Sequence, residues 1–200
     1  MTNIAAVLLA AGASLRYGDQ NKLLADFDGR PMLRVVADAI VEAKRFGELV
    51  VVTGFDSAAI EEALQGLPVR YAHNAAWQKG MGGSIAAGIS ALSAGCAGAA
   101  IVPGDMPYLT AALLDRLAAT FEQTGGSGIV FPAIENGEQR NPVIWPRSAF
   151  GRLSKLKGRV GGKSLLAAAA DTCFAVPVAE DGELRDIDEP VMRQRSAKAR

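Results

Sequence analysis

The sequence predicts an α/β fold of three layers, in which a mostly parallel sheet with one antiparallel strand lies between two layers of helices. Short apolar segments alternate with amphipathic helical stretches from residue 4 to residue 73, in the order β-α-β-α-β. This order is typical of a parallel sheet with helices on both faces. The apolar segments are also short and bounded, as buried strands of such sheets are.

The first half of the chain supplies most of the predicted elements, with strands at residues 4–9, 49–53, 69–73 and 98–102. A helix is predicted to start at Pro31, which suits the first helical position, and to end near Gly47. Ser57 is predicted to cap a short helix reaching residue 64, and Thr110 to cap a longer one. A further helix follows Ser84, with apolar side chains at helical spacing.

The last third is less regular. Strands are predicted at residues 129–133 and 143–145, with a hairpin-like turn at 135–138, so one member of this pair runs antiparallel to the main sheet. A helix at 165–170 and a strand at 174–178 follow. We expect residues 1–192 to form a single domain and the polar, basic residues 193–200 to form a flexible tail.

Composition excludes several classes of protein. The formal net charge of the 200 residues is zero and aromatic residues make up 6% of them, which argues against a nucleic-acid-binding surface. The chain shows neither a signal peptide nor an apolar run of membrane length, so we expect a cytoplasmic protein without membrane partners. Cys96 and Cys173 lack metal-ligand spacing and are interpreted as free thiols in a reducing compartment.

A small-residue loop directly after the first strand is the first candidate site. It runs through Ala10, Ala11 and Gly12 to the hydroxyl of Ser14, and backbone N–H groups of such a loop can bind an anion. Arg16 and Lys22 add positive charge, so the loop predicts a phosphate site. It is not G-x-G-x-x-G, and residues 158–164 miss the Walker spacing, so neither a dinucleotide-binding protein nor a kinase is supported.

Polar residues or glycines end four predicted strands, and the carboxyl ends of parallel strands are where ligands bind. Besides the Gly12 loop, these ends carry Thr53, Asn74 and Asp105. Asp105 is either a Mg²⁺ ligand or a turn or helix-capping residue. Asp188 is either a second carboxylate of that site or part of an acidic surface turn, and the single histidine, His73, is interpreted as structural.

Several motifs, in order along nearly the whole chain, resemble those of the nucleotidyltransferases related to molybdenum cofactor maturation, a MobA-like family. The set is most similar to the cytidylyltransferase branch, termed MocA-like, because Ala11 stands where the guanylyl branch carries glycine. The motifs are Leu9-Ala10-Ala11-Gly12-x-Ser14-x-Arg16-x-Gly18 with Lys22-Leu23-Leu24, Asn74-x-x-Trp77-x-x-Gly80-Met81-x-x-Ser84-Ile85, Gly104-Asp105-Met106-Pro107, Asn141-Pro142-Val143, Gly161-Gly162-Lys163-x-Leu165-Leu166 and Asp186-Ile187-Asp188-x-Pro190.

The resemblance implies a Rossmann-like nucleotidyltransferase fold and an enzyme that joins CMP from CTP to the phosphate of molybdenum–molybdopterin, releasing pyrophosphate. Mg²⁺ is the implied cofactor, bound by Asp105 and Asp188, and Arg16, Lys22 and Asp105 are the implied catalytic residues. The implied nucleotide-binding residues are Leu9, Ala10, Ala11, Gly12, Ser14, Arg16, Lys22, Thr53, Asn74, Gly80, Ser84 and Asp105. The implied substrate-binding residues are Asn141, Gly162 and Lys163.

These residues leave two alternative functions open. One is a guanylyl or sugar-nucleotide transferase of the same fold, and the other is a molybdenum cofactor carrier or chaperone without catalysis. The partners expected for the leading interpretation are CTP, a molybdopterin-type substrate, and a molybdoenzyme or its chaperone that receives the product.

Overall fold

The computed structural model describes residues 3–13, 21–135, 137–179 and 181–187. The strands are β1 Ile4–Ala10, β2 Asp26–Phe27, β3 Arg30–Pro31, β4 Phe46–Thr53, β5 Val69–His73, β6 Gly98–Pro103, β7 Ile129–Ala133, β8 Val143–Pro146 and β9 Cys173–Pro177. The α-helices are α1 Met32–Glu42, α2 Ser57–Ala63, α3 Met81–Ser90, α4 Ala111–Gln123, α5 Phe150–Leu153 and α6 Lys163–Leu166. Short 3₁₀ turns lie at Lys22–Leu24, Trp77–Lys79, Arg147–Ala149, Ala167–Thr172 and Asp181–Leu184.

The main sheet has seven strands in the order β5-β4-β1-β6-β8-β7-β9. Its neighbouring strands are parallel except at β8, which runs antiparallel to both β6 and β7. The predicted mostly parallel sheet with one antiparallel strand is therefore confirmed. The chain moves outward from β1 to β4 and β5, then returns to place β6 on the other side of β1. This reversal creates a topological switch point beside β1, where open α/β sheets bind ligands.

Two apolar clusters cover the two faces of the sheet, as alternation along buried strands requires. Ile4, Ala6 and Leu8 of β1 pack with α1, α2 and α4 on one face, and Val7 packs with α3 and α5 on the other. Helix α3 lies very close to the sheet, since a Cβ at Gly88 would lie 2.3 Å from Cγ1 of Val7. The three-layer arrangement is thus confirmed by the packing.

Several predicted boundaries are wrong near the first helix. Pro31 pairs with Asp26 in the β2–β3 hairpin, so α1 begins one residue later. Asp28 and Gly29 form the hairpin turn, and both have positive φ, as a two-residue turn of this kind requires. Helix α1 ends at Glu42, and Gly47 lies inside β4, because β4 pairs with β1 from Phe46 onward.

Other boundaries differ by less. Ser57 is the first residue of α2 and not its cap; Asp56 holds that position with φ 51° and makes no side-chain capping bond. The predicted helix at 165–170 is divided between α6 and a 3₁₀ turn, and the last strand begins at Cys173. The cap of α4 is confirmed, because the hydroxyl of Thr110 accepts a hydrogen bond from the Leu113 N–H at 3.2 Å. Among the helices of the described residues, none has the length and apolarity needed to cross a bilayer.

Candidate active site

A cavity of about 350 Å³ opens at the carboxyl ends of β1 and β6, at the switch point of the sheet. It is lined by five of the site residues that the sequence predicts, which are Leu9, Asp105, Asn141, Gly162 and Lys163. Its other lining residues are Met81, Ile85, Ile101, Pro103, Met106, Glu138, Gln139, Arg140, Val143, Trp145, Gly161, Leu184 and Asp186.

An ion pair lies at the edge of this cavity. Lys22 Nζ donates to Asp105 Oδ2 at 2.7 Å, and the two side chains are 10% and 23% exposed. Lys22 starts a 3₁₀ turn that Asn21 caps, since Asn21 Oδ1 accepts a hydrogen bond from the N–H of Leu23 at 3.1 Å. The pair joins residues 83 positions apart, so the fold brings together the two charges that the sequence singled out.

Asp105 is positioned by main-chain contacts on both sides. The N–H of Gly104 donates to the carbonyl oxygen of Leu9 at 3.1 Å, and a Cβ at Gly104 would lie 2.8 Å from that same oxygen. Only glycine therefore permits this approach of the β6 end to β1. On the other side, the N–H of Ile187 donates to the carbonyl oxygen of Asp105 at 3.0 Å, which brings Asp186 to the cavity wall.

Polar residues at the carboxyl ends of β4 and β5 form a partly buried network outside the cavity lining. Thr53 is fully buried, and its Oγ1 lies 3.3 Å from Nδ1 of His73. Asn74 Nδ2 donates to Ser84 Oγ at 3.0 Å, and Asn74 Oδ1 accepts from the N–H of Ala76 at 3.1 Å. These bonds connect the carboxyl end of the sheet to α3, so the side chains position the backbone that surrounds them.

The small-residue loop presents an open surface at Gly12, where a Cβ would meet nothing within 4 Å. Ala10 and Ala11 are buried, and Ala11 packs in the same cluster as Val7 and Ile85. Ser14, Arg16 and Asp188 lie outside the described residues, so their roles stay predictions. The phosphate-binding role of the loop stays a prediction.

Sequence reasoning missed much of the cavity wall. Trp145 is 1% exposed, as an ordinary core residue would be, yet it also lines the cavity. Gln139 and Arg140 were not singled out, although they directly precede the Asn141 motif. The N–H of Arg140 donates to the carbonyl oxygen of Pro132 at 3.0 Å, which attaches this segment to β7. Met81 belongs to the Asn74–Ile85 motif but had no predicted role, and it is 49% exposed at the cavity wall.

Neither cysteine takes part in the cavity, and both are free thiols as predicted. Cys96 lies just before β6, at the opposite end of the sheet, where its Sγ donates to Glu48 Oε2 at 3.4 Å. Burial and the Glu48 carboxylate raise the pKa of the Cys96 thiol to about 11, and burial raises the pKa of Cys173. Both thiols are therefore protonated near neutral pH and unsuited to nucleophilic catalysis.

The chain matches the family described as the MobA-like NTP transferase domain over residues 6–173. It is 30% identical over 158 residues to a probable molybdenum cofactor guanylyltransferase of Thermococcus gammatolerans, covering 79% of this chain and 77% of that protein. It is 36% identical over 114 residues to the bifunctional protein GlmU of Agrobacterium fabrum, covering 56% of this chain and 25% of the relative. The crystal structure of Rv0371c from Mycobacterium tuberculosis H37Rv superposes with a TM-score of 0.79 at 23% identity, covering 94% of both chains.

Proposed function

The chain belongs to the MobA-like NTP transferase family and is a nucleotidyltransferase, and we propose that it transfers CMP from CTP to the phosphate of molybdenum–molybdopterin. The observation that carries the proposal is the Lys22–Asp105 pair at the cavity edge, with its 2.7 Å contact. A buried lysine paired with a half-buried carboxylate, at the edge of a cavity of about 350 Å³, is suited to a triphosphate and its metal ion. The same cavity is lined by Lys163 and by Arg140, which pairs with Glu138 at 3.4 Å, and these two basic groups would attract a second anionic substrate.

In a nucleotidyl transfer, the protein contributes mainly by positioning the two substrates and stabilising negative charge. An oxygen of the acceptor phosphate attacks the α-phosphorus of the nucleotide, a new P–O bond forms, and the bond to pyrophosphate breaks. A phosphate monoester has its second pKa near 6, so this nucleophile is already ionised at about neutral pH and needs no general base. His73 is bonded to the buried Thr53, away from the cavity lining, which agrees with a reaction that uses no histidine.

Lys22 stabilises negative charge that shifts onto the leaving pyrophosphate. Its ammonium is fixed in place by Asp105, so little reorganisation is needed as the charge develops. Asn21 caps the 3₁₀ turn that carries Lys22, and Lys22 is buried in that turn. Lys163 and Arg140 act on the other substrate, because they line the cavity at the side formed by residues 138–163.

The residues present fit Mg²⁺. Mg²⁺ is usually held by one or two carboxylates together with substrate phosphates and water. Asp105 uses Oδ2 for Lys22, and a carboxylate has about four acceptor positions in all, so capacity for a cation remains. Asp105 would hold the ion, whose charge would neutralise the triphosphate. Asp186 lines the same cavity and Asp188 is two residues further along the chain.

The identity of the base has a second candidate. The similarity to a protein named a probable molybdenum cofactor guanylyltransferase makes GTP the second candidate nucleotide for this chain. Ala11, the residue that favours CTP, is buried in an apolar cluster, so its methyl group would influence the base through the position of the loop backbone. The relation to GlmU keeps a sugar-phosphate acceptor as an alternative to the pterin.

The experiment supplies the purified protein with molybdenum–molybdopterin and Mg²⁺ and adds each of the four common nucleoside triphosphates in turn. Pyrophosphate release with CTP supports the proposal, and release only with GTP replaces the base assignment. In a second set of reactions, a sugar 1-phosphate replaces the pterin as the acceptor. Pyrophosphate release with the sugar 1-phosphate but not with the pterin would overturn the proposed acceptor. Tight pterin binding without pyrophosphate release from any nucleotide would favour a carrier.

A further inference from the structure

Residues 157–162, which we call the strap, cross from the region after α5 to the start of α6 and contribute Gly161 and Gly162 to the cavity wall. The strap contacts α3 through main-chain atoms. The N–H of Gly82 donates to the carbonyl oxygen of Gly158 at 2.9 Å. The strap is thus attached to the first turn of the helix that carries Ser84.

Gly82 has no room for a side chain. A Cβ there would lie 2.7 Å from the carbonyl oxygen of Val160 and 2.9 Å from the backbone C and N of Lys157. All three neighbours are main-chain atoms, so the strap itself would have to move. Gly80 faces the same segment, because its Cβ would lie 2.5 Å from the carbonyl oxygen of Gly158, and its φ of 115° favours glycine as well.

The next residue of α3 behaves differently. A Cβ at Gly83 would lie 3.4 Å from Asn74 Nδ2, which is ordinary van der Waals contact. The close approach is therefore specific to the side of α3 that faces the strap. The far end of the strap is also constrained, since a Cβ at Gly162 would lie 3.0 Å from Cζ2 of the buried Trp145.

We infer that Gly82 is a positioning residue for the transfer reaction: the absence of its side chain lets the strap lie on α3 and fixes the acceptor side of the cavity relative to the nucleotide side. This inference rests on the proposed function for the meaning of the two sides. The nucleotide side of the site is that of Asn74 and Ser84, which are joined at 3.0 Å outside the cavity lining, and the acceptor side is that of Gly162 and Lys163, which line the cavity.

A change of geometry follows if the strap moves. Displacing Gly161 and Gly162 shifts the adjoining Lys163 relative to Asp105, whereas the Asn74–Ser84 bond is made on the other side of α3 and stays intact. A misplacement of about 1 Å between reacting groups can cost roughly 100-fold in rate. The effect should therefore fall on the use of the acceptor and spare the binding of the nucleotide.

The test compares Gly82→Ala with Gly83→Ala by two measurements. Trypsin cleavage after Lys157 and Arg159, both exposed in the strap, reports how often the strap leaves α3. We expect cleavage roughly tenfold faster in Gly82→Ala than in wild type, and unchanged in Gly83→Ala. Steady-state kinetics should give Gly82→Ala a kcat/KM for the acceptor lowered roughly 100-fold, with an unchanged nucleotide KM. Gly151→Ala, whose Cβ meets nothing within 4 Å, is the kinetic control.

Equal cleavage rates in the two α3 variants, an unchanged kcat/KM for the acceptor, or a raised nucleotide KM would overturn the inference. If Gly82→Ala does not fold, Gly158→Ala replaces it, because it strains the strap backbone at φ 63° while its Cβ comes no closer than 3.9 Å to a neighbour. Wild-type inactivity with every nucleotide would refute the proposed function. The cleavage comparison would still decide whether Gly82 holds the strap.

Discussion

Asp105→Asn removes one charge from the site and keeps the shape of the side chain. The Lys22–Asp105 contact is a charge-assisted hydrogen bond between side chains that are 10% and 23% exposed. Hydrogen bonds to charged groups contribute about 1.5–3 kcal/mol, and asparagine keeps a carbonyl acceptor for Lys22. We therefore expect a loss of about 1–2 kcal/mol of unfolding free energy, measured by denaturant titration, and a Tm lowered by about 2–8 °C.

The expected loss of activity is much larger. Losing one preorganised electrostatic group typically costs roughly 100- to 1,000-fold in turnover, and here the carboxylate both orients Lys22 and is the proposed Mg²⁺ ligand. The assay is pyrophosphate release at saturating nucleotide and acceptor.

Asp38→Asn is the matched control, because the Asp38 side chain is 20% exposed and pairs with Arg34 at 2.9 Å on α1, outside the cavity lining. It should lose at most about 1 kcal/mol of unfolding free energy, as a surface ion pair does, and keep wild-type turnover. Near-normal turnover in Asp105→Asn would refute the reasoning.

Three further results are expected. Gly104→Ala would place a Cβ 2.8 Å from the carbonyl oxygen of Leu9, so it should displace Asp105 and lower kcat roughly 10- to 100-fold; an unchanged kcat would contradict this. Thr110→Ala removes the side-chain cap of α4 and should cost about 1–2 kcal/mol of unfolding free energy in urea, and no loss would refute the cap. The Cys96 thiol has its pKa raised to about 11 by burial, so above the ordinary value of 9 the unfolded chain loses this proton first. The free energy of unfolding should therefore fall as the pH rises from 9 to 11. Denaturant titrations across that range should show a smaller fall in Cys96→Ala than in wild type.

The architecture could be predicted from the sequence because its signals are local. Each buried strand is a short apolar run, and the polar residues at strand ends, among them Thr53 and Asp105, follow those runs directly. Errors arose where tertiary pairing decides a boundary. Pro31 has the character of a first helical residue but pairs with Asp26 in a hairpin, and Gly47 has the character of a helix stop but lies in β4.

The site was predictable in part for a related reason. Lys22 and Asp105 each stand in a distinctive context, so both could be nominated, although nothing local reveals that they touch at 2.7 Å. Met81 and Trp145 are ordinary apolar residues, and their place in the cavity wall depends on how α3 and β8 pack. The role inferred for Gly82 was not accessible, because a glycine in a glycine cluster does not indicate which backbone approaches it.

The nucleotide-dependent release of pyrophosphate tests the central claim most directly. Wild-type protein, molybdenum–molybdopterin and Mg²⁺ are incubated with CTP or GTP, and the product is identified by mass spectrometry as the cytosine or guanine dinucleotide form of the cofactor. The account predicts one pyrophosphate released for each cytosine dinucleotide formed, with the signal lost in Asp105→Asn. Absence of any dinucleotide product with either nucleotide, from protein whose fold is intact, would contradict it.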